Sequence, residues 1–197
     1  MSDVAAIVLA AGLGSRFGSA SKPLAEIRGK PMIRHVCEAA LASTARPVLV
    51  VLGHRGEEVA EALRGCDAQT VICPDFAEGL SRSLQAGFAA LPEEAQAAVI
   101  LLADMPFVET AVIDALVAAW RSDLSAPAII PVHDGRRGNP VLLSRALGPE
   151  IAALTGDQGA GPLLRRLPGV VELACAQASI LRDIDTPEAL AEGEGGE

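Results

Sequence analysis

Apolar and polar positions divide this chain into short, solidly apolar runs and longer stretches whose apolar residues recur every three or four positions. Residues 4–11, 48–52, 98–103, 127–132 and 141–143 are runs of the first kind, and 69–73 is a strand-like segment that is apolar from Val71 on. They lack helical spacing and are bounded by turn residues, which predicts buried strands. Residues 24–27 predict a short extended piece, and 170–173 and 180–184 two further strand-like segments. In the second kind of stretch, Met32, Val36, Ala39 and Ala40 predict a helix from Pro31 to about Ser43. Pro31 can open it because a missing N–H costs little at a first helical position. The spacing predicts further helices over 55–63, 79–91, 110–120, 145–154 and 161–167, and Thr186-Pro187-Glu188 starts a last one. Strand and helix alternate along most of the chain. The expectation is an α/β domain, Rossmann-like and three-layered, with a mainly parallel sheet covered on both faces. Ligands of such sheets bind beyond the carboxyl ends of the strands.

Two strand ends carry chemistry. The first run leads into LAAGLGSRFGSASKP (9–23), which holds Gly12, Gly14, Gly18, Arg16 and Lys22 and no acid. Glycines let backbone N–H groups approach a ligand, and two cations suit an anion of several charges, such as a triphosphate. A Walker loop is excluded, because Lys22 stands between Ser21 and Pro23. A dinucleotide fingerprint fits poorly. The glycines are spaced one residue too wide, and the second strand runs into Gly53-His54-Arg55 instead of an acid. An NAD(P) oxidoreductase would rest on that imperfect pattern alone.

The run 98–103 stops at Asp104-Met105-Pro106. An acid there is expensive to bury alone, so it either caps the following turn or binds a cation at the crevice. Asp183 and Asp185, two apart in DIDTP, would share one face of an extended segment. Asp185 or Thr186 as N-cap before Pro187 accounts for one acid and leaves the other. If Asp104 and Asp185 converge, they make a hard oxygen site suited to Mg²⁺ held together with phosphate oxygens.

Composition narrows the classes. The 197 residues fit one domain, expected over 1–191, with the acidic, Gly-rich 192–197 as a frayed, disordered tail. Half the residues are hydrophobic but only 3% are aromatic, so Ala, Val, Leu and Ile must build the core. A net charge of −9 repels nucleic acid and anionic membrane, and neither is an expected partner. Cys37, Cys66, Cys73 and Cys175 are scattered and read as buried, reduced side chains. Residues 4–13 follow Asp3 with no basic side chain before them, which argues against an export signal, and no apolar run reaches transmembrane length. A cytoplasmic protein is expected.

Further motifs resemble a known family. LAAGLGSRFG (9–18), Lys22-Pro23, Leu24, Gly29-Lys30-Pro31-Met32 and Val36 are similar to the signature of MobA-like nucleotidyltransferases. The resemblance continues through Gly53-His54, PDFAEGLSRSLQAG (74–87), LLADMPFV (101–108), GRRGNPVL (135–142), LTGDQGA (154–160) and DIDTPEAL (183–190), and so covers nearly the whole chain. The most similar branch is molybdenum cofactor cytidylyltransferase, which joins CMP to molybdopterin–molybdenum and releases pyrophosphate. The guanylyltransferase branch is a more distant match over 79–87 and 135–160.

The resemblance implies a fold of the nucleotide-diphospho-sugar transferase type and a set of roles. Ala10, Ala11, Gly12, Gly14 and Ser15, with Arg16 and Lys22, would hold the triphosphate of CTP (or GTP). Pro74, Asp75, Gly79 and Ser83 would surround the base. Asp104 and Asp185 would hold Mg²⁺, and Arg16, Lys22 and Asp104 would be catalytic. Arg137, Gly138, Asn139 and Asp157 would lie on the side of a molybdopterin-type acceptor, and a molybdoenzyme would receive the product. The chain departs from the branch at Asn139, where His is common, and at Gly161, where Arg is common. Rival readings are a guanylyltransferase, a sugar-phosphate nucleotidyltransferase, and a non-catalytic accessory protein that carries the cofactor to molybdoenzymes.

Overall fold

Strand β1 (Val4–Ala10) is buried at every position because helices cover both of its faces. Val4, Ala6, Val8 and Ala10 enter one hydrophobic cluster and Ala5, Ile7 and Leu9 another, as the two-residue period of a strand requires. The computed structural model describes residues 3–12, 21–186 and 189–190. Gly14, Ser15, Arg16 and Gly18 of the first loop, Pro187, Glu188 and the tail 192–197 lie outside the described residues.

A one-turn 3-10 helix (Lys22–Leu24) leads to a small antiparallel pair, β2 (Glu26–Ile27) and β3 (Lys30–Pro31), and then to α1 (Met32–Ala42). There follow β4 (Val48–Leu52), α2 (Gly56–Ala62), β5 (Gln69–Ile72), a 3-10 turn (Phe76–Glu78) and α3 (Leu80–Ala89). The second half holds β6 (Ala97–Leu102), α4 (Thr110–Ser122), β7 (Ala128–His133), β8 (Arg136–Arg137), β9 (Val141–Ser144), α5 (Gly148–Ala152), α6 (Gly161–Arg166) and β10 (Val171–Ala174).

One sheet runs in the order β10-β7-β9-β6-β1-β4-β5, with β8 paired to β7. β1 is parallel to β4 and β6, β4 to β5, and β7 to β10. β9 lies antiparallel between β6 and β7. α1, α2 and α4 pack on one face through Ile33, Val36, Val59, Ile113 and Leu116. α3, α5 and α6 pack on the other through Leu84, Ile151 and Leu163. Burying each such side chain fully stabilises the fold by about 1.5–3 kcal/mol. The expected three-layer architecture is therefore the one found. α3 comes very close to β1, because a Cβ on Gly87 would stand 2.6 Å from Ile7 Cγ2. A third, small cluster joins Ile27, Met32 and Ile184 with Phe107, Ala189 and Leu190. None of the described helices is long and apolar enough to cross a membrane.

Two expected elements differ. The single helix expected over 145–154 is a 3-10 turn (Arg145–Leu147) followed by α5, since Pro149 must sit at the first turn of a new helix. Residues 180–184, expected as a strand, instead belong to a 3-10 helix (Ala178–Leu181) and an irregular segment. A short apolar run cannot by itself separate these states. Here Ile180 and Ile184 are both buried, and the Ile180 carbonyl accepts from Asn139 N–H at 2.9 Å rather than from a strand neighbour.

Candidate functional site

Beyond the carboxyl ends of β1 and β6 opens a cleft of about 620 Å³. Residues 9–12 and Leu102 to Asp104 line it from the sheet, where Ala103 N–H donates to the Leu9 carbonyl at 3.1 Å. The remaining lining falls into two groups of different character.

The charged group is Lys22, Asp104 and Asp185. Lys22 Nζ donates to Asp104 Oδ2 at 2.6 Å and to Asp185 Oδ1 at 2.6 Å. The side chains of Lys22 and Asp104 are 14% and 25% exposed, and that of Asp185 is 46% exposed. Burial alone would depress the Lys22 pKa, but its hydrogen bonds and charge attraction to Asp104 and Asp185 outweigh it, so the net shift is upward. The ammonium is held charged.

These three residues lie far apart in the chain, and local packing brings them together. Lys22 is fixed by its 3-10 turn, in which Ala25 N–H donates to the Lys22 carbonyl at 3.1 Å. Ile184 is buried beside Ile27 and Met32, and its N–H donates to the Asp104 carbonyl at 2.9 Å. That bond sets Asp185 beside Asp104. Thr186 Oγ1 accepts from Ala189 N–H at 3.2 Å, so Thr186 is the helix cap and Asp185 turns to Lys22.

Asp104 Oδ1 is buried and has no hydrogen-bond partner among the described residues. An orphaned carboxylate oxygen beside a second carboxylate, both already gathered on one cation, has the donor chemistry of a divalent-ion site. No third His, Cys, Asp or Glu completes a metal cluster among the described residues. Two carboxylates suit an ion that takes its remaining ligands from phosphate and water. Mg²⁺ fits these residues.

The second group is residues 76–80, Ser83 and Asp157. Gly79 has φ +115°, and a Cβ there would lie 2.3 Å from the carbonyl carbon and oxygen of Gly156. Only glycine permits this contact. Ser81 N–H then donates to the Gly156 carbonyl at 3.2 Å, and Leu80 N–H to Asp157 Oδ1 at 3.3 Å. The loop between α5 and α6 is thereby seated on the start of α3.

A smaller hollow of about 190 Å³ is lined by Arg136, Arg137, Gly138, Asn139 and Asp183 among others, and shares Leu102 with the cleft. A Cβ on Gly138 would lie 2.4 Å from the Ile180 carbonyl oxygen, so the 178–181 helix closes directly on this segment. Arg137 Nε donates to Glu172 Oε1 at 2.7 Å.

Ala10, Ala11, Gly12, Lys22, Gly79, Ser83, Asp104 and Asp185 thus line one cleft. Pro74 and Asp75 are exposed and outside its lining. Arg137, Gly138 and Asn139 gather at the smaller hollow, but Asp157, expected with them, lines the cleft. Asp183 and Asp185 do not share a face: Asp183 lines the smaller hollow and Asp185 the cleft. Gly14, Ser15 and Arg16 lie outside the described residues. Pro23 and Leu80 also line the cleft, though the sequence assigns neither a role there. Leu80 is half-buried and serves both cleft and core. Its position one residue after a glycine at the mouth of a helix was the available signal.

A family model described as the MobA-like NTP transferase domain matches residues 6–171. Over 95% of its length the chain is 33% identical to the molybdenum cofactor cytidylyltransferase of Escherichia coli, covering 94% of that protein. It is 30% identical to the nicotine blue oxidoreductase of Paenarthrobacter nicotinovorans, over 94% of this chain and 93% of that one. The bifunctional protein GlmU of Pelobacter propionicus is 36% identical over 76% of the chain, which spans 32% of that longer protein. Among solved structures, Rv0371c of Mycobacterium tuberculosis superposes with a TM-score of 0.85 at 25% identity, covering 100% of both chains. The same protein has been solved in complex with manganese, with a TM-score of 0.80 at 24% identity over 98% of both chains. A CMP:2-keto-3-deoxy-manno-octonic acid synthetase complexed with CTP shares the fold, with a TM-score of 0.80 at 18% identity over 98% of this chain and 97% of that one.

Proposed function

We propose, for a chain that belongs to the MobA-like NTP transferase family, transfer of CMP from CTP to the terminal phosphate of molybdenum–molybdopterin with release of pyrophosphate. The observation that carries the reading is Lys22 Nζ held 2.6 Å from both Asp104 and Asp185 at the cleft. It gathers, at the carboxyl ends of β1 and β6, the charges a metal–triphosphate needs. The likeness to the cytidylyltransferase of Escherichia coli supports the choice of nucleotide and acceptor. The reading treats 1–191 as one nucleotidyltransferase domain.

In this reading the backbone of Ala10, Ala11 and Gly12 cradles the triphosphate, with Lys22 supplying positive charge. Gly14, Ser15 and Arg16 complete that loop. Asp104 and Asp185 would hold Mg²⁺, which would supply neutralisation of charge on the phosphates. Residues 76–80 and Ser83 surround the base, and Arg137, Gly138 and Asn139 receive the acceptor across Leu102. An acceptor phosphate is already ionised near neutral pH, so an in-line attack on the α-phosphate needs no general base. His35 Nε2 and His133 Nδ1 are each occupied by a backbone carbonyl at 2.9 Å, and neither lines the cleft. The chain's task is positioning and charge neutralisation.

The test is pyrophosphate release with each nucleoside triphosphate, Mg²⁺ or Mn²⁺, and molybdenum-loaded molybdopterin. CTP is expected to give product with that acceptor. GTP working better would place the chain with guanylyltransferases, and retention of the loaded cofactor without turnover would make it a carrier. The likeness to nicotine blue oxidoreductase favours a second reading, hydride transfer. Oxidation of a reduced nicotinamide dinucleotide without pyrophosphate chemistry would establish it instead.

A further inference from the structure

We infer that Asp157 reads the exocyclic amino group of the base and so sets cytosine above uracil. This rests on the nucleotide reading of the cleft and assigns Asp157 to the base instead of the acceptor. The cleft has one lysine and no arginine among its described lining residues, and that lysine belongs to the group with Asp104 and Asp185. Phosphates therefore belong with Lys22, which leaves the group around Gly79, Leu80, Ser83 and Asp157 for the base.

Asp157 is held in that group from several sides. Leu80 N–H donates to its Oδ1 at 3.3 Å, and Ser81 N–H holds the Gly156 carbonyl at 3.2 Å. Gly159 sits so close to Leu80 that a Cβ would be 2.9 Å from Leu80 Cδ2. Gln85 Nε2 donates to the carbonyls of Ile151 and Leu154 at 3.0 Å, which fixes the start of the same loop to α3. The carboxylate is thus presented on a rigid support, and it lines the cleft.

A carboxylate at neutral pH accepts hydrogen bonds and donates none. Cytosine offers it the N4 amino group, whereas at that position uracil carries the O4 oxygen, a second acceptor that a carboxylate repels. Guanine recognises a carboxylate best through both oxygens at once, and here Oδ1 already accepts from Leu80 N–H, which ties its direction to the backbone and disfavours that bidentate pairing. Oδ2 matches one amino donor, the pairing by which Asp reads cytosine N4.

The experiment measures equilibrium binding of CTP, UTP, GTP and a CTP analogue lacking the 4-amino group to the full chain with Mn²⁺. The parent should prefer CTP over both UTP and the analogue on the order of tenfold or more. Asp157→Asn keeps an oxygen for Leu80 N–H and offers uracil O4 a donor, so it should shrink or invert the CTP-to-UTP ratio at an unchanged melting temperature. A parent that binds nucleotides without discriminating CTP from the analogue overturns the inference whatever the variant does. So does an Asp157→Asn ratio equal to the parent's, or a parent that prefers GTP, and in each case the nucleotide reading of the cleft survives. No binding of any nucleotide overturns both.

Discussion

Replacing Lys22 by methionine should destabilise the metal-free protein and at the same time make it a better metal binder. The side chain keeps most of its length and loses its charge. Its bond to Asp104 joins two largely buried groups, and a hydrogen bond to a charged group is worth about 1.5–3 kcal/mol. Its bond to Asp185 involves a partner 46% exposed, and screening reduces such a contact to about 0–1 kcal/mol. The loss is then about 1.5–4 kcal/mol, or roughly 3–16 °C in melting temperature for a chain of this size. A divalent ion taking the lysine's place between the carboxylates should restore much of it, since a ligand at a hundred times its Kd stabilises by about 2.7 kcal/mol. In the parent the ion must first displace an ammonium, so the same Mn²⁺ should raise its melting temperature less. Turnover in the variant should fall by about 10²–10³-fold, the effect of losing one transition-state charge contact. Calorimetry in chelator and in Mn²⁺, with Mn²⁺ binding followed by electron paramagnetic resonance, checks each part. Equal Mn²⁺ affinity in parent and variant, or equal melting in chelator, would refute the view that Lys22 neutralises the two carboxylates until a metal ion and a triphosphate draw them apart.

Gly79→Ala should cost at least about 3 kcal/mol, combining strain at φ +115° with a Cβ pressed to 2.3 Å from Gly156 backbone that cannot yield. Urea midpoints measure the stability, and a fall in nucleotide affinity is expected with it because the Leu80–Asp157 contact goes as well. Glu38 accepts from Lys30 at 2.6 Å and from Arg34 at 3.1 Å, and these cations, Lys30 first, hold its pKa below the ordinary carboxylate value despite some desolvation. Its contribution is present above that ordinary value and lost as pH falls through the lowered one. At such exposure it should amount to about 1 kcal/mol or less. Glu38→Gln should therefore lower the urea midpoint at neutral pH, with the difference from the parent vanishing in acid; a difference that persists in acid would contradict the assignment.

The fold was legible where burial on both faces forces an unbroken apolar run. β4 spans the expected residues 48–52, and β1 and β6 begin and end within a residue of expectation. Such runs need no context to be read, because a strand between two helical layers has no polar face to confuse its period. Residues 145–154 and 180–184 failed for the converse reason. Each is short and lies at the margin of the sheet, where a proline in one case and a carbonyl taken by Asn139 in the other decided the outcome.

The candidate site divides along the same line. Asp104 could be singled out because a charge that ends an apolar run must find a partner, Lys22 because it is one of two cations in a glycine loop without an acid, and Asp185 because a cap accounts for only one acid of DIDTP. Asp157 carried no such mark: TGDQGA alone passes for an ordinary helix connection, and the side it turns to depends on a contact with Leu80, 77 residues away. What could have revealed that contact is a pair of glycines. Gly79 and Gly156 both adopt positive φ, +115° and +63°, and each stands at the tip of a segment rich in polar residues. A glycine followed at once by a helix excludes a side chain where some other backbone must approach. Gly79 is such a position, directly before α3, and the backbone that approaches it is that of Gly156, the residue before the acid. The pair also explains why a loop expected at the acceptor lines the cleft instead: Gly79 leaves room for Gly156, whereas Gly138 has already given its space to Ile180.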